Sequence, residues 1–262
     1  MTTGTIRIES RALKGPTTYS IIVPDEDKAG PGPYPVLLQL HGRYDDYRAW
    51  LDKSRLWSYV ERIPIIVVMP SGGNSWWSNI SPQGTDDPAY ALNYEDYLVH
   101  DLWMHVNSTF PVRADARWAL GGLSMGGFGA IRLGLKYPDR FCSIFAHSSV
   151  IPTAENLEYW LPLISPAARA DLDCYRWAAT RTSADLPRLG FDCGVDDYLI
   201  DDNRRFHTHL DRLGLPHTYS EHAGGHTWDY WDLHVREALV QHCEVLGIAP
   251  LPVALPPSAD VA

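Results

Sequence analysis

Short runs rich in β-branched residues alternate along the chain with longer stretches in which apolar residues recur every three or four positions. The first pattern suits strands and the second amphipathic helices. Strands are predicted at Thr5–Ser10, Thr17–Val23, Pro35–Leu40, Ile63–Met69, Arg117–Leu123, Ser143–His147, Leu189–Cys193 and Thr218–His222, and helices at Tyr94–Phe110, Gly127–Tyr137, Asn203–Leu213 and Thr227–Gly247. Alternation of this kind implies an α/β fold: a mostly parallel eight-stranded sheet with helices on both faces. The first two strands are joined by Lys14-Gly15-Pro16 and should pair as an antiparallel hairpin, whereas the later ones leave room for crossovers.

Between these elements the pattern weakens in three places. Asp25 to Pro35 is rich in Pro, Gly and charge and reads as a surface loop. Residues 249–262, rich in Pro and Ala, read as a loose C-terminal tail. Residues 151–187 exceed the length of a single crossover and are long enough to pack over the carboxyl edge of the sheet as a partial cap. No solenoid-like repeat is present, and residues 1–248 are expected to form one domain.

Composition narrows the classes. With 262 residues, 45% hydrophobic and 21% charged, the chain can bury a large core. Its 22 Lys and Arg against 32 Asp and Glu give a net charge of −10, which disfavours nucleic acid and anionic membrane surfaces as partners. The longest apolar runs, such as Ile65 to Met69, fall far short of the roughly 20 residues that cross a bilayer. Charges at Arg7, Glu9, Arg11 and Lys14 occupy the place of a signal peptide's apolar stretch, so the expected location is cytoplasmic. The four cysteines, Cys142, Cys174, Cys193 and Cys243, show no Cys-x-x-Cys spacing and read as buried reduced thiols.

The chemistry concentrates at three points. Gly122-Leu123-Ser124-Met125-Gly126 ends an apolar strand and enters a helical pattern. In that context Gly-x-Ser-x-Gly lifts the serine above the sheet on a strained turn, and the glycines let neighbouring backbone pass. A blander reading has Ser124 merely capping the helix. The Met125 N–H at the helix start would face a developing oxyanion. A second donor is expected from the loop after the third strand, where Gly42 turns the chain and aims the Arg43 N–H at Ser124, while His41 buttresses that loop.

Of the 11 histidines, His226 lies in Ala223-Gly224-Gly225-His226-Thr227, a loop between the last strand and last helix, free to swing over the strand ends. His207 and His209, two apart on a helix, point to different faces, which disfavours a shared metal. For the orienting acid, Asp197 lies three residues past Gly194 and can fold back toward His226. Asp192 falls inside the strand, and Asp196 points elsewhere. Alternatively, Asp196 and Asp197 are simply a charge pair at a helix N-terminus. Serine, aspartate and histidine then follow in the order Ser124, Asp197, His226, which is not that of chymotrypsin or subtilisin.

With these motifs, and with Leu40-His41-Gly42, Met69 to Trp77, Tyr94-Glu95-Asp96-Tyr97-Leu98 and Gly224 to Trp228, the chain resembles the esterase D-like family of α/β hydrolases, which includes tributyrin, feruloyl and S-formylglutathione esterases and mycolyltransferases. The resemblance implies Ser124 as nucleophile, His226 as base, Asp197 as acid, the Arg43 and Met125 N–H groups as oxyanion hole, and Trp228 as a wall of the substrate pocket. Arg43-Tyr44-Asp45-Asp46 replaces the Thr-Cys-Thr-Glu usual in S-formylglutathione hydrolases, and no export signal of the mycolyltransferase kind is visible. A serine carboxylesterase for short-chain acyl esters is therefore expected, with no cofactor or metal. A feruloyl-type esterase, an acyltransferase on the same three residues and a catalytically silent binding protein are the alternatives.

Overall fold

A computed structural model describes residues 1–79, 92–114, 116–153, 156–160 and 166–248. It contains an eight-stranded sheet of β1 (Thr2–Ser10), β2 (Gly15–Val23), β3 (Val36–Leu40), β4 (Ile66–Pro70), β5 (Trp118–Leu123), β6 (Phe141–His147), β7 (Arg188–Gly194) and β8 (His217–His222), in the order β1-β2-β4-β3-β5-β6-β7-β8. β1 and β2 pair antiparallel, as does β2 with β4, and all the remaining pairings are parallel. All eight strands lie where the pattern places them, the shifts being a few residues at the ends.

The central strands are buried on both faces, as parallel sheets under two helix layers must be. Successive residues alternate between two apolar layers: Val36, Leu38 and Leu40 of β3 enter one, with Ile66 and Val68 of β4. Leu37, Val67 and Met69 enter the other. The first layer is closed by the helix Met125–Lys136 and the second by the helix Trp228–Leu246.

Three local expectations are corrected. The helix predicted at Tyr94–Phe110 is wound in three pieces, α over Tyr94–Asp96 and Trp103–Thr109 and π over Tyr97–Leu102. The loop Asp25 to Pro35 contains one helical turn, Glu26–Ala29, with the Asp25 carboxylate capping Asp27. Cys142 is only partly buried, whereas Cys174, Cys193 and Cys243 are buried; all four are free thiols. The tail at 249–262 and residues 154–155 and 161–165 of the segment 151–187 lie outside the described residues. Among the described residues no helix is long and apolar enough to cross a membrane.

A charged cluster lies buried beside the helix that follows β5. Arg132 is fully buried, with Nη1 2.6 Å from the Glu95 carboxylate and Nη2 donating to the Trp77 carbonyl at 2.8 Å; Lys136 lies 2.7 Å from Glu95. Burial alone would raise the Glu95 pKa, but Arg132 and Lys136 outweigh it and lower it from 4.5 to about 2. A depressed folded-state pKa stabilises the protein above pH 4.5, and that contribution is lost as pH falls toward 2, which amounts to about 3 kcal/mol. Glu95→Gln, which leaves the buried Arg132 with only the partly exposed Asp171 carboxylate at 2.9 Å as countercharge, should therefore lower stability by up to about 3 kcal/mol at pH 7 in urea melts, with the difference from wild type narrowing toward pH 2.

Candidate active site

The carboxyl ends of β3, β5, β6, β7 and β8 lie side by side, with Leu40 opposite Gly122, Leu123 opposite His147, His147 opposite Asp192 and Gly194 opposite His222. β3 continues into β4 on one side while β5 lies on its other, so the strand order reverses there and a crevice opens at the strand ends.

Ser124 sits at that crevice with φ 53° and ψ −116°, the left-handed region that costs a non-glycine residue energy. Its N–H donates to the His147 carbonyl (2.9 Å), and its carbonyl accepts from Phe128 N–H (3.0 Å), so the turn is over-determined by its neighbours. The flanking glycines are required by contact: a Cβ on Gly122 would lie 2.4 Å from the Gly126 carbonyl oxygen, and one on Gly126 2.6 Å from the oxygens of Leu40 and His41. The Ser124 side chain makes no capping bond to the helix, which removes the blander reading. Its Oγ is instead 3.0 Å from His226 Nε2.

β8 lies three strands from β5, roughly 14 Å at the usual spacing, so His226 and Asp197 must be carried back over β6 by their loops. Those loops are joined: Val195 N–H donates to the His222 carbonyl and Asp196 N–H to that of Gly224, each at 2.9 Å. That bond, with its exposed carboxylate, is the placement of Asp196. Asp197 is 2% exposed; Oδ1 accepts Leu199 N–H (2.9 Å) and Oδ2 lies 2.8 Å from His226 Nδ1. His226 directly precedes Thr227, which caps the helix Trp228–Leu246, so the end of the loop is anchored.

A carboxylate can only accept here, so Nδ1 of His226 carries the proton and Nε2 presents its lone pair to the Ser124 hydroxyl. The imidazole is held by Tyr198, whose ring centroid is 4.7 Å away, and by Trp231, edge-on at 4.9 Å.

His41 is buried between two loops: Nε2 accepts Gly72 N–H (2.9 Å), so Nδ1–H donates to the Gly42 carbonyl (2.7 Å). Desolvation lowers its pKa, which keeps the imidazole neutral and the buttress intact. The Arg43 N–H makes no hydrogen bond among the described residues, and that of Met125, first in its helix, has no acceptor within the helix. Both residues line a cleft of about 440 Å3 beside Ser124 and His226, walled by Trp76, Trp160, Tyr198, Trp228 and Trp231. Trp160 belongs to the segment 151–187.

Asp192, inside β7, is fully buried; its carboxylate bonds His147 Nδ1 (2.7 Å) and the Tyr230 hydroxyl (3.0 Å) instead of approaching His226. Sequence reasoning missed Tyr198, Trp231, Trp76 and Trp160 as cleft walls. Only Trp231 carried a signal, its spacing of three from Trp228, which puts both on one helix face.

The profile of the Esterase family matches residues 10–242. The chain belongs to the esterase family. By that membership it is a hydrolase of small-molecule esters. Among its relatives, an acetyl esterase of Caldicellulosiruptor saccharolyticus is 27% identical over 89% of this chain and 95% of its own length. An esterase of Mycobacterium tuberculosis is 28% identical over 85% of this chain, which spans only 55% of that relative. Solved structures share the α/β-hydrolase fold: the fluorophosphonate-binding serine hydrolase F of Staphylococcus aureus (TM-score 0.77, 24% identity, 91% of this chain and 96% of that one) and an S-formylglutathione hydrolase from Agrobacterium tumefaciens (TM-score 0.79, 21% identity, 94% and 95%).

Proposed function

We propose that Ser124, His226 and Asp197 are the catalytic triad of a carboxylesterase for short-chain acyl esters, with the Arg43 and Met125 N–H groups as oxyanion hole and Trp228 as a pocket wall. The carrying observation is the continuous path from Ser124 Oγ through His226 to Asp197, with contacts of 3.0 and 2.8 Å. His226 Nε2 takes the Ser124 proton as Oγ attacks the ester carbonyl, then returns it to the departing alcohol. The same nitrogen next deprotonates the water that cleaves the acyl-serine. Each oxyanion donor contributes about 3 kcal/mol to the tetrahedral state. Asp197 keeps the tautomer and stabilises the imidazolium.

Short acyl chains fit a cleft closed by bulky Trp76, Trp160 and Trp231. The same aromatic walls favour feruloyl-type esters as a second reading. Reduced thiols in all four cysteines suit the cytoplasm as the place of work, and residues 1–248 the catalytic domain.

Kinetics on p-nitrophenyl acetate, butyrate and octanoate and on methyl ferulate test this, alongside mass mapping of a fluorophosphonate adduct. The adduct is expected on Ser124, and kcat/KM should fall at least tenfold from butyrate to octanoate. A faster octanoate or ferulate reaction removes the short-chain assignment, and an adduct on another residue removes the nucleophile.

A further inference from the structure

At the other end of β8 from the cleft, three side chains converge that the ester chemistry does not use. The helix Ile200–Leu213 ends at Gly214 with φ 66°, and Leu215 N–H bonds the Leu210 carbonyl (3.1 Å). This tight reversal lays His217, the first residue of β8, against the last two turns of the helix. There His207 and Asp211, four residues apart, share a face.

The protonation pattern of the group follows from its contacts. His217 Nδ1 lies 2.8 Å from the Leu215 carbonyl, which only accepts, so Nδ1 carries the proton and Nε2 presents a lone pair. That lone pair faces His207 Nδ1 at 2.7 Å and Asp211 Oδ1 at 3.9 Å, while His207 Nε2 is 3.5 Å from Asp211 Oδ2. Ligand atoms from all three residues fall within 4.8 Å of one another. His207 can donate Nδ1–H to the His217 Nε2 lone pair, but its own Nε2 lone pair then faces the Asp211 carboxylate, so the group gathers electron pairs that a cation would bring together.

Several features suit the cation. A carbonyl fixing the tautomer from behind is the usual support of a metal-bound histidine. Stacking sets the ring planes, His207 on Tyr219 (4.8 Å between centroids) and His217 on Phe191 (5.9 Å). The His217 side chain is only 4% exposed, and Asp211 is 60% exposed, so the group is anchored on one side and open to water on the other. It also sits at the negative end of the helix dipole, on a chain of net charge −10.

We propose that His207, Asp211 and His217 bind one divalent transition-metal ion, clipping the helix end to the edge strand β8. Two imidazole nitrogens and one carboxylate oxygen, with water in the fourth position, suit zinc and not magnesium or calcium. Tetrahedral ligands at ~2.1 Å stand about 3.4 Å apart, so the nitrogens open slightly from their present contact, by rotation of the more exposed His207.

The nearby trio His222, His234 and Glu237 is a contrast. Its carboxylate already spans both rings, Oε2 3.2 Å from His222 and Oε1 2.9 Å from His234, and completes the group without a metal.

Calorimetry and thermal melts of the dialysed full chain with ZnCl2, and with MgCl2 as control, test the site. One equivalent of zinc should bind, with a melting temperature that climbs as zinc is added and no response to magnesium. His207→Ala and Asp211→Asn should each weaken zinc binding at least tenfold and abolish the thermal shift, while metal-free kcat on p-nitrophenyl acetate stays within twofold of wild type. Zinc binding retained in both variants, absence of binding by the wild type, or an equal shift with magnesium overturns the proposal.

Discussion

Ser124→Ala should reduce kcat on p-nitrophenyl acetate by a factor on the order of 10⁶ and eliminate fluorophosphonate labelling. The expected loss is large because the three side chains act as a unit: without Oγ there is no atom to receive the acyl group, and His226 has no proton to take. A residual rate above water should survive, since the Arg43 and Met125 N–H groups and the cleft remain. Stability should change little. The side chain does not cap its helix, and the strained backbone turn is held by the Ser124 N–H and carbonyl, which alanine retains. A folded variant with undiminished turnover would mean that the reacting oxygen belongs to another residue. Circular dichroism and a melting curve beside the assay separate this from misfolding.

Asp197→Asn is expected to cost on the order of 10⁴ in kcat, although the residue never touches substrate. Asparagine is nearly isosteric, and its oxygen can still accept the Leu199 N–H that Asp197 Oδ1 now accepts. The amide NH2 would then face His226 Nδ1 where Oδ2 lies at 2.8 Å, and two donors cannot share that contact. The imidazole must move its proton to Nε2, which leaves no lone pair for the Ser124 hydroxyl. Asp196→Asn should leave kcat within twofold, because that exposed carboxylate makes no contact with the imidazole. A large loss at Asp196 with little at Asp197 would reassign the acid. A uniform loss at both would point to the joined loops as the sensitive feature.

Both predictions concern residues singled out by local pattern, and that pattern was informative for physical reasons. A strained serine turn between strand and helix demands glycine two residues away on either side, so Gly122 and Gly126 mark it in any chain. Strands buried on both faces must be short and continuously apolar, which made β3 to β6 conspicuous. Legibility failed where identity depends on a distant partner. Strand position separates Asp192 from Asp197 in the sequence, but nothing local shows that Asp192 is spent on His147 and Tyr230. The buried ion pair of Arg132 with Glu95 was invisible for the same reason, as were Trp76 and Trp160 as cleft walls. Likewise helix spacing relates His207 only to His209, whereas its partner is His217 on the following strand.

The order of elements, the glycine-framed serine and the loop position of His226 were determined by sequence alone, because each depends on backbone sterics or periodicity within a few residues. What the buried Asp192 binds, which rings besides Trp228 wall the cleft and which histidines meet at the far end of β8 were decided only by tertiary structure. Those contacts join residues ten or more positions apart, and their distances are set by strand order and by the connections between elements, neither of which is encoded in any local stretch of chain.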